Sequence, residues 1–505
     1  MTDLLVIRRA TYYDSVTLML ASSDAEAIEG VSFAAAVTAT PVNVALLEAQ
    51  GFDLSSESPG PNDLVVAVRA GDDRAAEEAE RAVQARLTPA AKAASSTPGH
   101  IAPRSWRSAV RANSNLSLAF VSVPGRYATA EVAGALEAGL DVFCFSDGLS
   151  LEAEAALKQR ALERGLLLMG PDCGTAIIDG VGLGFANAVG RGPVGIVGAS
   201  GTGIQEVSCL LDSAGVGISH AIGVGGRDLS RAVGGAMSMR ALELLDADDA
   251  TEVIVVISKP PDRDTAARVV EAAGRTNKRI VVGFLGESNF VDAASNVTIV
   301  DSLEAASTQA AQQTGRELDL SPPPPQRLTP GFIRGLFCGG SLCYEAMLVV
   351  SAAGWPVASN VPLVPHWRLE DVETSVGDTF IDFGADEFTQ GRAHPMIDPT
   401  LRTERLEREA KDAEVGAIVL DVVLGYGAHR DPATELAPVV EAALASRSDD
   451  LAIVVALCGA TADPQDLEAQ ATRLGDAGAL VTRGSAQATR AAVAATGDTD
   501  DGNDG

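Results

Sequence analysis

Lysine is scarce in this chain: five residues, at 92, 158, 259, 278 and 411, in a sequence of 505. Acidic residues number 68 against 38 basic ones, for a formal charge of -30, yet charged residues make up only 21% of the chain. The acidity thus comes from missing lysine rather than dense charge. It argues against a broad basic surface for nucleic acid or an anionic membrane, and a salt-rich cytoplasm is one setting that fits it. Cysteines are few as well: the six, at 144, 173, 209, 338, 343 and 458, never fall into a C-x-x-C pair. That argues against zinc or a disulfide framework and for free thiols in a reducing compartment. The start, MTDLLVIRR, lacks the apolar core of a signal peptide. No apolar run approaches the roughly 18 residues needed to cross a membrane. The expectation is a soluble, cytoplasmic protein.

Hydrophobic residues make up 46% of the chain, enough for several cores. The length predicts three or four domains at about 100–200 residues each. Residues 1–90 alternate strand and helix as a small α/β domain, and 88–112, with SSTPGH and His100, reads as a linker. From 113 to 190, strands at 116–123, 141–145 and 166–169 alternate with helices, which implies βαβ units and a parallel sheet. The first turn there carries no G-x-G-x-x-G, so a dinucleotide fingerprint is missing. Residues 191–320 form a third unit. A run of four prolines at 322–325 is read as a stiff linker to a fourth, 331–495, and the tail 496–505, TGDTDDGNDG, is expected to be disordered.

The most informative stretch is 191–229, RGPVGIVGASGTGIQEVSCLLDSAGVGISHAIGVGGRDL. A short apolar strand meets the turn Gly198-Ala199-Ser200-Gly201-Thr202-Gly203, and a helix follows. Backbone amides and the helix dipole make such a turn an anion site, with hydroxyls from Ser200 and Thr202. A plain structural turn is the competing reading. A glycine turn with serine at a helix start recurs about 140 residues later, at Gly339, Gly340 and Ser341.

These residues resemble the ligase-domain signature of the succinyl-CoA synthetase α subunit. MGPDCGTA resembles the last loop of that subunit's coenzyme A-binding domain, and 331–495 is similar to the β subunit's C-terminal domain. One chain carrying both halves, with DFGADEFTQGRAHPMIDP and DVVLGYGAHRDP, resembles the FdrA family. The resemblance implies a multidomain α/β protein: a small N-terminal α/β domain, a CoA-binding-type Rossmann domain, and two flavodoxin-like ligase domains, α-type and β-type. It also implies a phosphate site between two helix N-termini, one per ligase domain. Ser200, Gly201, Thr202 and Gly203 match the α-type turn, and Gly425, Tyr426 and Gly427 stand where the β-type turn is expected. The synthetase's phosphorylated histidine belongs to a Gly-His-Ala-Gly loop after the strand at 279–285. Here that loop reads GESNFVDAASN from Gly286, without histidine, which implies a diffusible phosphate in place of a phosphohistidine.

The resemblance extends to the oxamate carbamoyltransferase subunit of allantoin catabolism, which interconverts carbamoyl phosphate plus oxamate with oxalurate plus phosphate. It implies companion subunits in a hetero-oligomer and a small-molecule substrate. Two alternatives stand beside it: an ADP-forming acyl-CoA synthetase, which alone would call for coenzyme A or a nucleotide, and a non-catalytic ligand-binding subunit.

Lys259, at a strand end, is a candidate contact for phosphate or carboxylate, or a surface lysine before a Pro-Pro turn. Arg227, after the glycine turn with Gly225 and Gly226, is a candidate substrate clamp, or half of a structural pair with Asp228. His394 and His429, in loops with an arginine close by in sequence, are the acid/base candidates, against the reading of hydrogen-bonded loop histidines. His220 reads as structural. Asp382, Asp386 and Glu387 form an acidic loop that suggests Mg²⁺ only weakly, and no metal site is expected with any specificity. Cys173 and Cys338 read as packing residues.

Overall fold

A computed structural model describes residues 1–9, 11, 13, 15–54, 58–60, 63–88, 103–287, 291–321, 329–390, 392–447 and 450–497. The proline run, His100 with most of the expected linker, and the tail from 498 lie outside them. The chain divides into two compact units. One is Met1–Ala102 with Phe383–Asp398, and the other is Pro103–Asp382 with Pro399–Gly505.

In the first unit, β1 (Thr2–Arg8), β2 (Val31–Thr38) and β3 (Leu64–Ala70) form an antiparallel sheet in the order β1-β3-β2. The central strand, LVVAVRA, is almost wholly apolar because both its faces are covered. Helices α1 (Ser15–Glu26) and α3 (Asp73–Leu87) bury Leu18, Ala21, Ala79 and Val83 on one side. On the other, α2 (Pro41–Ala49) and the following loop bury Leu47, Phe52 and Leu54. Thr40 caps α2 ahead of a proline at its first turn, the placement where a missing amide costs nothing. Residues 383–398 belong to this unit, so the expected domain 331–495 is interrupted. Arg392 Nε donates to Asn43 Oδ1 at 2.8 Å.

The second unit opens with α4 (Trp106–Ala112), a helix with a Ser105–Ser108 capping box inside the expected linker. Strands β4 (Leu118–Val121), β5 (Asp141–Cys144) and β6 (Leu168–Met169) form a parallel sheet, with helices α5 (Gly125–Glu137) and α6 (Leu151–Glu163). The boundary expected at 190 is not where the sheets divide. The hairpin β7 (Thr175–Ile178) and β8 (Val181–Gly184) leaves that sheet and pairs with β10 (Ile218–Gly223). A seven-stranded sheet results, in the order β13-β12-β11-β9-β10-β7-β8. Its parallel strands are β9 (Val194–Gly198), β10, β11 (Val253–Ser258), β12 (Arg279–Phe284) and β13 (Val297–Val300). The third sheet is wholly parallel, in the order β15-β16-β14-β17-β18-β19. It comprises β14 (Phe332–Phe337), β15 (Val357–Ser359), β16 (Asp378–Asp382), β17 (Val415–Val423), β18 (Ala452–Cys458) and β19 (Leu480–Thr482). Sheets covered on both faces need continuous apolar strands, which VGIVG, VIVVIS and VGAIVLDVV supply. No helix among the described residues is long and apolar enough to cross a membrane.

Both larger sheets are doubly wound. After β9 the chain adds β10 on one side and β11 on the other; after β14 it adds β16 on one side and β17 on the other. In such sheets the crevice beyond the carboxyl end of the first strand is the natural ligand position. Here those two ends are Gly198, followed by α7 (Gly201–Ser213), and Phe337, followed by α11 (Gly340–Ala352).

A buried charge cluster ties the three-stranded sheet to its larger neighbour. Lys158 Nζ, on α6, donates to Glu154 Oε1 at 2.8 Å, to the Val224 carbonyl at 2.8 Å and to Asp228 Oδ1 at 2.9 Å. All three ammonium donors are used. Asp228 Oδ2 in turn accepts from the Ser238 amide at 2.9 Å and hydroxyl at 2.7 Å, at the start of α8 (Ala236–Ala247). Replacing one partner strands the others without compensation. Lys158→Met should destabilise the fold by about 3–5 kcal/mol, read as a lowered unfolding temperature. An unchanged transition would contradict this role.

Candidate functional site

The first crevice is built by β9 and α7. Gly198 has to be glycine, since a Cβ there would lie 2.4 Å from the Ile204 side chain. Ser200, in extended conformation (φ -158°), caps α7 by accepting the Gly203 amide on its Oγ at 3.0 Å. Leading amides of a helix have no intrahelical partner, and they give this end a partial positive charge. Thr175, the first residue of the β7–β8 hairpin, stands beside them. It is buried, its Oγ1 has no hydrogen-bond partner, and a Cβ on Gly201 would lie 3.1 Å from that oxygen.

The second crevice faces the first. Asp421, buried on β17, accepts the Cys338 and Gly339 amides at 2.8 Å each and is neutralised by Arg402 at 2.6 Å. That pair fixes the turn from which α11 starts. Gly339 supplies no side-chain cap. Ser341, buried in the first turn, places its Oγ 2.6 Å from Ser200 Oγ. The two helix N-termini therefore meet at this pair of hydroxyls. Lys259, at the end of β11, joins them: a Cβ on Gly340 would lie 2.6 Å from both Lys259 Nζ and Asp382 Oδ2. The ammonium also sits 4.8 Å from the centre of the Tyr344 ring, a cation–π contact. Two dipole ends, three hydroxyls and one ammonium gather there, donors that could hold a tetrahedral anion, with the Asp382 carboxylate beside them.

Behind the clamp both helices bury a carboxyl group, Glu206 on α7 and Glu345 on α11. Burial, and then the proximity of Glu345, pushes Glu206 up to about 8, and burial lifts Glu345 to about 7. Glu206 Oε1 accepts the Ser485 amide at 2.8 Å, while Oε2 has no partner.

The β-type turn expected at Gly425 and Gly427 does not face the first. Two of its amides are spent on packing: that of Gly425 goes to Gln465 Oε1 at 3.0 Å and that of Tyr426 to the Ala186 carbonyl at 2.7 Å. A Cβ on Gly425 would lie 2.5 Å from that carbonyl. The helix that follows, Pro432–Ala445, already carries Asp431 at its cap, bound by Arg473. The facing turn is instead the repeat at Gly339, Gly340 and Ser341. A substrate role for Arg227 is also displaced: its Nε donates to Glu154 Oε2 at 2.8 Å and its Nη2 to the Leu149 carbonyl at 2.9 Å, which extends the Lys158 cluster. Gly225 (φ +84°) lies against the Pro171 carbonyl, which a Cβ would approach to 2.4 Å, and Gly226 is exposed.

The histidines are dispersed. His394 belongs to the N-terminal unit, and its Nδ1 accepts the Met396 amide at 3.2 Å. His429 Nδ1 accepts the Asp431 amide at 3.1 Å, which leaves its proton on Nε2. His220 Nδ1 accepts the Asp179 amide at 3.1 Å. Cys173 and Cys338 are buried, and burial pushes the Cys173 thiol up to about 12. Asp382 lies at the clamp, but no group of three or more metal-type ligands is gathered among the described residues.

Three family models match the chain. Residues 336–495 match the CoA-ligase model, 190–286 the CoA-binding domain model, and 1–102 a model described as AllF, heavy metal-associated domain. The CoA-binding match thus falls on the seven-stranded sheet rather than on 113–190. Residues 1–102 contain no cysteine, so no thiolate is available there for a soft metal, and the heavy-metal label lacks that ligand in these residues. The protein YahF of Escherichia coli (strain K12) is 40% identical over 499 residues, covering 95% of this chain and 96% of its own length. The α1 subunit of the ADP-forming succinate–CoA ligase of Archaeoglobus fulgidus is 29% identical over 152 residues, 29% of this chain and 51% of the subunit. The Aquifex aeolicus α subunit is 32% identical over 165 residues, 31% of this chain and 52% of the subunit. The chain thus spans about half the length of these ligase subunits. Among solved structures, a dinucleotide-forming acetyl-coenzyme A synthetase 1 from Ca. Korarchaeum cryptofilum, in complex with phosphate and ADP, is 14% identical. That match covers 75% of this chain and 82% of that one, with a TM-score of 0.30.

The buried carboxyls set a pH dependence. Burial holds the Glu206 proton in the folded state up to about 8, well above the ordinary glutamate value of 4.5. Between those values the folded state binds the extra proton, so stability falls as pH rises through the window. Glu206→Gln removes that pH-dependent contribution. Relative to the parent protein, its unfolding temperature should gain steadily from pH 5 to pH 9; a constant offset across that range would contradict the assignment.

Proposed function

The chain belongs to the family of YahF, and from that membership and the clamp we propose that it transfers a carbamoyl group between phosphate and an amide acceptor, oxamate in one direction and oxalurate in the other. The observation that carries this reading is the meeting of the α7 and α11 N-termini at Ser200 and Ser341, with Lys259 beside Gly340. The CoA-ligase and CoA-binding matches support acyl phosphate chemistry, and the AllF match supports an allantoin-related role.

In the direction that consumes carbamoyl phosphate, the phosphoryl oxygens rest on the first-turn amides of the two helices and on Lys259. The acceptor amide nitrogen attacks the carbamoyl carbon, the bond from that carbon to the phosphate oxygen breaks, and the electron pair leaves with phosphate. The proton of the attacking nitrogen passes to the departing phosphate. The clamp accelerates the step because its dipoles are already aimed at the charge that develops on the leaving oxygen. Serving a small-molecule substrate in this way, the chain works with companion subunits.

The CoA-ligase matches favour a second reading, an ADP-forming acid–thiol ligase that would use coenzyme A and a nucleotide. Incubation with γ-labelled ATP separates the two: an acid-labile label on the chain supports the ligase, and an unlabelled chain removes it.

The test of the leading reading is phosphate release from carbamoyl phosphate and oxamate by the assembled complex. Ser200→Ala should lower the rate by about 10²-fold or more, while costing only about 1 kcal/mol as a lost cap. No release by the parent complex would sink the reading. A full rate in the Ser200→Ala complex would reduce this chain to a non-catalytic subunit.

A further inference from the structure

Lys259 brings a positive charge to a place where the backbone already carries one. Its side chain lies against the first turn of α11, where a Cβ on Gly340 would stand 2.6 Å from Nζ and 3.3 Å from Cε. The free amides of that turn make it partly positive, which disfavours a cation. Asp382 Oδ2, also 2.6 Å from the Cβ position, attracts the ammonium from close by. An attraction of that kind sets a distance to one point and leaves a flexible four-carbon stem free to swing around it. A second constraint comes from α11 itself. Tyr344 stands four residues after Gly340 on the same face of the helix, and long helical side chains lean back over the preceding turn. Its ring accordingly reaches the ammonium, with Nζ 4.8 Å from the ring centre. Burial pushes the phenol up, so the ring meets the ammonium in its neutral form.

We propose that Tyr344 is a positioning residue, whose ring face holds the Lys259 ammonium at the N-terminus of α11 before an anion arrives. The inference rests on the phosphate clamp described above. Gly340 and Tyr344 act as a pair: the glycine leaves room for the lysine tip, and the ring one turn on covers it. A cation placed in advance loses less freedom when the ligand binds, so the ring contributes to anion affinity without touching the anion. The contact needs the face of the ring and not its hydroxyl.

Calorimetric titration of the full chain with inorganic phosphate tests this. Lys259→Met should weaken binding by about 10-fold or more, the loss of a hydrogen bond to a charged group. Tyr344→Leu should weaken it by about 3- to 30-fold, whereas Tyr344→Phe, which keeps the ring face, should stay within about twofold of the parent. In a Lys259→Met background the leucine change should have almost no further effect, because the group it positions is gone. A ring-trifluorinated phenylalanine at 344 keeps the shape but depletes the negative ring face, and it should bind phosphate as weakly as the leucine variant. Should the leucine variant fail to fold, the fluorinated one decides. Parent-like affinity in the deciding variant overturns the proposal, and so does an equal loss in Tyr344→Phe or an undiminished loss in the Lys259→Met background. Parent-like affinity in Lys259→Met overturns it as well and leaves the helix amides to hold the anion. A parent chain that binds no inorganic phosphate overturns the clamp itself, and this role with it.

Discussion

Two helices that point their positive ends at each other repel unless something negative lies between them. In this protein the N-termini of α7 and α11 are brought together, with Ser200 and Ser341 touching at 2.6 Å. Much of the second unit serves to hold it. Each helix leaves the first strand of a doubly wound sheet, so each N-terminus opens at the topological switch point of its own sheet. Buried charges secure the surroundings: Asp421 with Arg402 fixes the turn before α11, and the Lys158 cluster fixes the loop after β10. The carboxyls Glu206 and Glu345 are buried against the same helices without a basic partner within ion-pair distance among the described residues. Burial favours the protonated form of both carboxyls, which lessens the negative charge behind the two helix N-termini.

In the proposed reading the dipoles and Lys259 would favour an anion here, and the hydroxyls of Thr175, Ser200 and Ser341 would set its geometry. Amides that are fixed before the ligand arrives cost no reorganisation when charge develops on it. This division of labour suits a mixed anhydride, whose reactivity lies in its own leaving group and which needs orientation more than a covalent carrier.

Much of this was legible in the residues. The run VGIVGASGTG could hardly be anything but strand, turn and helix, and the α/β class followed from the alternation of apolar strands with helices. The facing turn was also visible, as a second glycine turn with a serine about 140 residues on; family likeness drew attention to Gly425 and Gly427 instead. Nothing in the local sequence of 425–427 says that its amides are taken by Ala186 and Gln465, because those partners are 240 and 40 residues away. The hairpin that brings Thr175 to the site did leave a local sign. Asp179 (φ 52°) and Gly180 (φ 79°) between apolar runs are the Asp-Gly pair of a two-residue turn. His394 could not be separated from the clamp by sequence, since its segment leaves the ligase-like sheet and folds with the N-terminal unit.

Locating the anion directly tests the central claim. A crystal structure of the full chain soaked with inorganic phosphate should show the ion between the two helices, hydrogen-bonded to first-turn amides of both α7 and α11 and to Lys259 Nζ. Phosphate bound at the Gly425 turn instead, or an empty gap at Ser200 and Ser341 under saturating phosphate, would contradict the account.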